Sequence, residues 1–267
     1  MAENYQVRWF EVTDSTNDRL LADRFSLPDG AVYAALFQTA GRGQRGNSWK
    51  SASGLNLMFS LLLRPSGLPA AKQFAISEAI TLGITDYLAS RGAESRIKWP
   101  NDIYCGERKI CGILIENSLK GDKVADSVIG IGLNLNQKEF DPSAPNPTSL
   151  TLLTGLSYPL EDELQALLSC IFKRREALSN PLPEALTQLE QEYLGRLYRL
   201  GEWHGFIDCR ATGDNLTPTT EEIPGRRFTG RITGLAPGGL LRIETEHSGD
   251  EKGEAIDFAF KELRYIL

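Results

Sequence analysis

Between Arg96 and Asn136 the chain carries apolar, strand-like runs at 96–99 (RIKW), 109–116 (KICGILIE) and 127–136 (SVIGIGLNLN), with only turns between them. Pro100-Asn101-Asp102 and Lys120-Gly121-Asp122 supply the turn chemistry. Consecutive strands pair most simply as antiparallel hairpins, because a parallel pair needs a crossover of roughly a dozen residues or more. This order argues against an alternating βαβ chain. It predicts an α+β fold with a mixed, largely antiparallel sheet layered with helices.

The flanking segments fit that plan. Runs 31–37 and 55–63 are short, apolar and bounded by Gly or Pro, so both read as strands. Ser15 or Thr16 can cap a helix over 18–25, and the apolar spacing of 71–91, closed by Gly92, predicts a second. Further helices are expected over 161–178 and 183–199. After Gly201 the pattern changes to short β-like runs at 206–211, 227–233, 240–244 and 255–260, with Pro237-Gly238-Gly239 as a tight turn. The expected organisation is a main domain over 1–200 and a small β-barrel over 201–267. The polar, Pro-containing stretch 215–226 reads as a surface loop.

Charge narrows the function classes. The formal net charge of −6 offers no global field for DNA or an anionic membrane, so any basic site must be local. No apolar run resembles a signal peptide or a membrane span, and a cytoplasmic location is expected. Cys105, Cys111, Cys170 and Cys209 form no C-x-x-C pair, and His204 and His247 add no zinc-ligand spacing. The histidines also lie outside any nucleophile cluster, which leaves a hydrolase triad without its base. Cys111 sits within an apolar run and reads as a buried, inert thiol.

The most informative segment is the loop 41–50, GRGQRGNSWK. It matches G-x-G-x-x-G literally, but it leads into a strand, whereas a dinucleotide fingerprint needs a helix to open inside the motif. What remains is a set of close glycines with Arg42, Arg45 and Lys50 and no acid, which suits a phosphate or carboxylate as well as it suits a solvated loop. Lys98 and Asp102 flank a proline turn at a strand end; taken alone, that segment is first a structural turn. Lys109 opens an otherwise apolar run, and Gly112 within it leaves room for a ligand or neighbouring backbone. Asn134 and Asn136 alternate with Leu133 and Leu135, placing both amides on one side of a strand. A site rich in Arg, Lys and Asn with one Asp suits phosphoryl or adenylyl transfer, in which positioning and charge neutralisation supply most of the catalysis.

Taken in series, GRGQRGNSW (41–49), KWPNDIY (98–104), KICGILIE (109–116) and GIGLNLN (130–136) resemble the biotin protein ligases. The resemblance covers roughly residues 10 to 200 and, more weakly, an SH3-like C-terminal domain. It implies ATP and biotin as substrates, Mg2+ as cofactor, and a biotin carboxyl carrier protein of acetyl-CoA carboxylase as partner. The carboxylate of biotin is adenylated, and the acyl group then passes to a carrier lysine. No helix-turn-helix precedes the motifs, which implies a ligase that does not bind DNA; monomer and homodimer both remain open. By matching position, Ser15, Thr16, Asn17, Gln38, Gly41, Arg42, Gly43, Lys109 and Gly112 are the implied biotin contacts, with Arg42 and Lys109 at the activated carboxylate. Arg42, Arg45, Trp49, Lys98, Asn101, Asp102 and Asn134 are the implied ATP contacts, with Asp102 also a catalytic and Mg2+-binding residue. Gln44 departs from the G-R-G-R pattern common in the family. Lipoate ligases and octanoyl transferases resemble the same fold, and a non-catalytic nucleotide-binding module would keep the loop without the reaction.

Overall fold

A computed structural model describes residues 5–142, 144–210, 225–246 and 253–266, and these divide into two compact units, Met1–Arg196 and Leu197–Leu267. In the first, strands β1 (Val7–Thr13), β2 (Val32–Gln38), β3 (Leu57–Leu63), β4 (Arg96–Lys98), β5 (Asp102–Cys105), β6 (Arg108–Lys120) and β7 (Lys123–Leu133) form one sheet in the order β1-β2-β3-β7-β6-β5-β4. Only β1 and β2 pair in parallel; every other pairing is antiparallel. Of the hairpins expected from the consecutive runs, that of 109–116 with 127–136 forms as β6–β7, whereas the run at 96–99 (β4) pairs with β5, which intervenes between it and β6.

Two strands of this sheet were not expected, nor was β12 (Leu263–Tyr265) of the second unit. β1 (VRWFEVT) is an edge strand whose Arg8, Glu11 and Val12 are exposed, so it lacks the continuous apolar signature of its neighbours. β5 lies inside what reads as a turn, its four residues following directly on Pro100-Asn101.

Helix α1 (Thr16–Asp23) begins where expected: Ser15 is its N-cap, and Oγ accepts from Asp18 N–H at 3.3 Å. Its Leu20 is buried against Tyr33, Leu62 and Val128. α2 (Phe74–Ser90) is buried along almost its whole length and packs on β4, on β5, and on α4 (Leu160–Ser179) and α5 (Pro183–Gly195). At the crossing with α4, a Cβ on Gly83 would stand 2.7 Å from Ile171 Cα, so glycine permits the close approach. α5 ends at Gly195 rather than Arg199, its last carbonyls capped by Arg196 N–H. A short helix not foreseen in the sequence, α3 (Leu150–Thr154), is capped by Ser149 and stopped by Gly155 at φ +77°.

The second unit is a five-stranded antiparallel sheet of β8 (Trp203–Asp208), β9 (Arg226–Ala236), β10 (Leu240–Thr245), β11 (Ala255–Phe258) and β12 (Leu263–Tyr265), ordered β11-β10-β9-β8-β12. Its described pairings do not close into a ring, since β11 and β12 form opposite edges. Gly238 and Gly239, both at positive φ, make the β9–β10 turn predicted from Pro237-Gly238-Gly239. Stacked Phe206, Phe228 and Phe258 fill its interior. Most of the predicted surface loop 215–226 lies outside the described residues. Among those described, no helix is long and apolar enough to cross a membrane.

Candidate active site

Side chains alternate across a sheet, so cross-strand register decides which residues share a face. Gly132 of β7 pairs with Met58 of β3 and Gly112 of β6, and Gly112 pairs with Asp102 of β5. One step along, Gly130 pairs with Ser60 and Leu114; beyond that, Val128 pairs with Leu62 and Glu116. This face carries α1 at one end, through Leu62 and Val128, and a floor of glycines at the other. The floor is low because it must be: a Cβ on Gly130 would stand 2.3 Å from Asn17 Oδ1, and one on Gly132 2.3 Å from Trp49 Cε2.

The first turn of α1 forms one wall. Thr16 donates to Gln38 Oε1 through both its backbone N–H (2.7 Å) and its hydroxyl (3.1 Å), and Ser60 Oγ lies 2.7 Å from Thr16 Oγ1. Ser60 also donates to Asn17 Oδ1 at 2.6 Å, while Asn17 Nδ2 donates to Glu116 Oε2 at 3.0 Å. The buried amide of Asn17 thus has its acceptor and donor ends fixed in opposite directions. Ser15 is buried and is occupied as the helix cap.

The glycine-rich loop folds as a miniature hairpin. Trp49 N–H donates to Gly41 O (2.8 Å), Gly43 N–H donates to Asn47 O (2.7 Å), and Arg42 bridges Ser48. A Cβ on Gly41 would stand 2.4 Å from Trp49 O, so the turn-back requires glycine there. The Trp49 indole lies on Gly112 and Gly132, and its buried Nε1–H has no partner among the described residues. Gln44 Nε2 reaches Ile113 O at 3.4 Å, a carbonyl that also accepts from Asn101 Nδ2. The side chain of Arg45 lies outside what the structure describes.

Two cations reach this face. Lys109 Nζ is 2.8 Å from Asp102 Oδ1, passes over Gly112 and lies 6.0 Å from the Trp49 ring. Arg42 Nη2 donates to Glu116 Oε1 at 2.8 Å and Nη1 to Glu116 Oε2 at 3.2 Å, and Nη1 also contacts Asp18. The fork with Glu116 raises the guanidinium pKa, burial opposes it by less, and Asp18 adds to the rise. Arg42 stays a cation at any working pH.

The structure therefore gathers Thr16, Asn17, Gln38, Gly41, Arg42, Trp49, Asp102, Lys109 and Gly112 on or beside one sheet face, with Asn101 and Gln44 anchored to Ile113 O at its border. Lys98 pairs with Asp102 in register and so shares the face of Gly112 and Gly132, its Nζ meeting the Tyr104 hydroxyl at 3.2 Å. The asparagines are placed differently. Asn134 and Asn136 lie past the end of β7, so the expected strand alternation fails: Asn134 Nδ2 donates to Thr148 O at 2.9 Å, and Asn136 is bonded to Tyr158 and Thr151. Burial raises the Cys111 thiol pKa well above its usual range, in keeping with an inert role. Ser60, Gly130, Gly132, Asp18 and Glu116 lie at the site and were not singled out from sequence; strand register places all but Asp18, which α1 brings to Arg42.

Residues 9–134 match the model of the biotin/lipoate A/B protein ligase family. The chain is 36% identical over 196 residues to the biotin–[acetyl-CoA-carboxylase] ligase of Paracoccus denitrificans, covering 71% of this chain and 80% of that one. It is 40% identical over 144 residues to the bifunctional ligase/repressor BirA of Escherichia coli, a match covering 53% of this chain and less than half, 44%, of that protein. In structure it is similar to a biotin protein ligase from Aquifex aeolicus in complex with biotin and ATP, with a TM-score of 0.74 at 24% identity over 98% of this chain and 99% of that one.

Proposed function

The chain belongs to the biotin/lipoate A/B protein ligase family, and we propose that it is a biotin protein ligase, activating biotin with ATP and transferring it to a lysine of a biotin carboxyl carrier protein. The observation that carries this reading is the placement of Lys109 over the glycine floor, with the Thr16–Asn17 wall and, beside it, the Arg42 guanidinium on the same sheet face. A flat bicyclic ligand with a polar ureido end and a carboxylate tail needs hydrogen-bonding groups for the ureido, cations for the carboxylate and no side chains projecting from the sheet beneath.

In the first step a biotin carboxylate oxygen bonds to the α-phosphorus of ATP, and the bond to the bridging oxygen breaks as pyrophosphate leaves. Negative charge concentrates on the carboxylate, the α-phosphate and the leaving group. Lys109 and Arg42 counter it, and preorganised cations act most strongly where water is excluded. Asp102 holds the Lys109 ammonium at 2.8 Å, above Gly112, so that its position does not depend on the ligand. In the second step the carrier amine attacks the acyl carbon, AMP departs and the amine gives up a proton. The Trp49 indole rests on Gly112 and Gly132, so a ligand on that floor displaces it, and the loop hairpin that carries it then closes over the mixed anhydride and shields it from water.

Magnesium favours one or two carboxylates together with substrate phosphates. Asp102 is engaged by Lys109, and no cluster of three or more His, Cys, Asp or Glu exists among the described residues. A cluster of that size is not what ATP-borne magnesium needs: Asp102 would supply one carboxylate and the ATP phosphates the rest, and the ion would neutralise phosphate charge.

The test is ATP-dependent pyrophosphate release with biotin, lipoate or octanoate, each with and without an apo biotinyl carrier domain. Biotin-dependent release with carrier labelling is expected. Turnover of lipoate or octanoate instead would move the protein to a sister activity, and no release with any acid would leave a binding module.

A further inference from the structure

Glu116 lies on β6 opposite Val128, on the same face as Gly112 and Leu114, and its carboxylate is the meeting point of two separate parts of the site. Oε2 accepts from Asn17 Nδ2 (3.0 Å) and Arg42 Nη1 (3.2 Å), and Oε1 accepts from Arg42 Nη2 (2.8 Å). Asn17 comes from the first turn of α1, and Arg42 from the glycine-rich loop.

We propose that Glu116 is a positioning residue that holds the Arg42 guanidinium of the glycine-rich loop in register with the Asn17 amide of α1 beside the ligand site, and so determines affinity for the acid substrate. This rests on the biotin ligase reading above, deepening it to a residue that touches neither reacting atom.

The chemistry of the three contacts calls for a carboxylate. All three are donations toward Glu116, and an ionised carboxylate is acceptor-only, with room for about four. A glutamine offers one acceptor oxygen and one NH2, so in either orientation an N–H faces Asn17 Nδ2 or one arm of the Arg42 fork. The Asn17 amide cannot adapt by flipping. Its Oδ1 accepts from Ser60 Oγ at 2.6 Å, and it rests on Gly130, where a Cβ would stand 2.3 Å away. Asp18, next to Asn17 in α1, contacts Arg42 as well and ties the loop to that helix, but Glu116 alone among these carboxylates bonds both the Asn17 amide and the guanidinium. An aspartate at 116 keeps the charge but is shorter by one methylene, and cannot span both donors.

The experiment combines steady-state kinetics with arginine modification of the full chain. Glu116→Gln is expected to raise KM for biotin by roughly tenfold to a hundredfold, the range for a hydrogen bond to a charged group, with KM for ATP within about twofold and Tm close to wild type. Glu116→Asp should restore little of the loss. Phenylglyoxal, read by peptide mass spectrometry without substrates, should modify Arg42 several-fold faster in Glu116→Gln than in wild type. A KM for biotin that falls in the variant would make Glu116 a competitor of the substrate carboxylate and overturn the proposal. Parallel rises in both KM values, or Arg42 reactivity unchanged by the substitution, would also overturn it. Should the wild type fail to turn over biotin at all, the ligase reading falls, and the reactivity of Arg42 alone decides whether Glu116 tethers it.

Discussion

Arg42 and Arg174 each grip two carboxylates, yet the two clusters do opposite kinds of work. Arg174, on α4, holds Asp86 of α2 through Nε (2.6 Å) and Nη2 (3.1 Å), and its Nη1 is 2.5 Å from Glu192 of α5. A second guanidinium, Arg196, meets Asp86 at 2.7 Å. Burial pushes the Asp86 carboxyl pKa up, but hydrogen bonds from Arg174 and Arg196 outweigh it and leave it below its usual value. With two arginines on one carboxylate and three helices joined, nothing in that cluster is left to offer a ligand. Arg42 is more exposed, at 38% against 20% for Arg174, and it extends from a loop rather than a helix. Both guanidinium pKa values are raised by their carboxylate partners, so protonation does not separate them. What does is the element that carries each arginine and the access around it. The same ion-pair chemistry gives cohesion between helices and an addressable cation above a sheet.

The largest effect expected from this contrast comes from Lys109. Removing a cation that meets developing charge costs about 2–5 kcal/mol of transition-state stabilisation, or roughly 30-fold to 5,000-fold in kcat/KM. Lys109→Ala should show that loss in biotin-dependent pyrophosphate release while thermal unfolding changes little, since its partner Asp102 is itself 28% exposed and can be solvated. A near-normal rate would remove Lys109 from the chemistry.

The helical side of the comparison is sharpened by Glu78. It lies on α2, 5% exposed, and burial, reinforced by the Glu190 carboxylate and only partly opposed by Lys72, pushes its pKa from 4.5 up to about 8. Between those values the folded chain holds a proton that the unfolded chain has lost. Stability therefore falls as pH rises through this window and levels off above about 8. Glu78→Gln, which imitates the protonated acid, should be more stable than wild type at pH 8.5 by about 1–3 kcal/mol, the difference vanishing below about pH 4.5. Chemical unfolding across pH measures it, and a gap independent of pH would contradict the assignment.

The two sides were also unequally legible in the sequence. The helices over 71–91 and 161–178 announce themselves by apolar spacing, and α2 and α4 follow within a few residues. The loop 41–50 and Lys109 stand out because charge and glycine interrupt apolar runs. Ser60 and Glu116 do not, since Ser60 is a lone polar residue in a strand and Glu116 opens the polar stretch Glu116-Asn117-Ser118, both common arrangements on a solvent-facing side. Only register, which sets Ser60 beside Gly130 and Glu116 beside Val128, turns them inward. Asn134 misled for the converse reason: its alternation with leucines continues after the strand has ended, and its amide serves the Thr148 carbonyl. Non-local pairing lies outside the reach of any local pattern.

The smallest expected effect tests how firmly the glycine-rich loop is held. Gln44 fastens the glycine-rich loop to β6 by one neutral contact, Nε2 to Ile113 O at 3.4 Å, on a carbonyl that Asn101 also uses. That bond is long, and a neutral amide pairs with an anion less strongly than a guanidinium does. An arginine here would stand in a loop that already carries Arg42, and it could add a charge-assisted contact to an adenylate phosphate instead of a weak one to backbone. Gln44→Arg is accordingly expected to slow release of free biotinyl-adenylate by a few-fold, equivalent to about 0.5–1.5 kcal/mol. The assay is adenylate appearing in solution when no carrier is present. If the wild type releases adenylate as slowly as the variant or more slowly, the neutral contact at residue 44 is not what limits retention, and the hold on the phosphate must come from Lys109 and Arg42 alone.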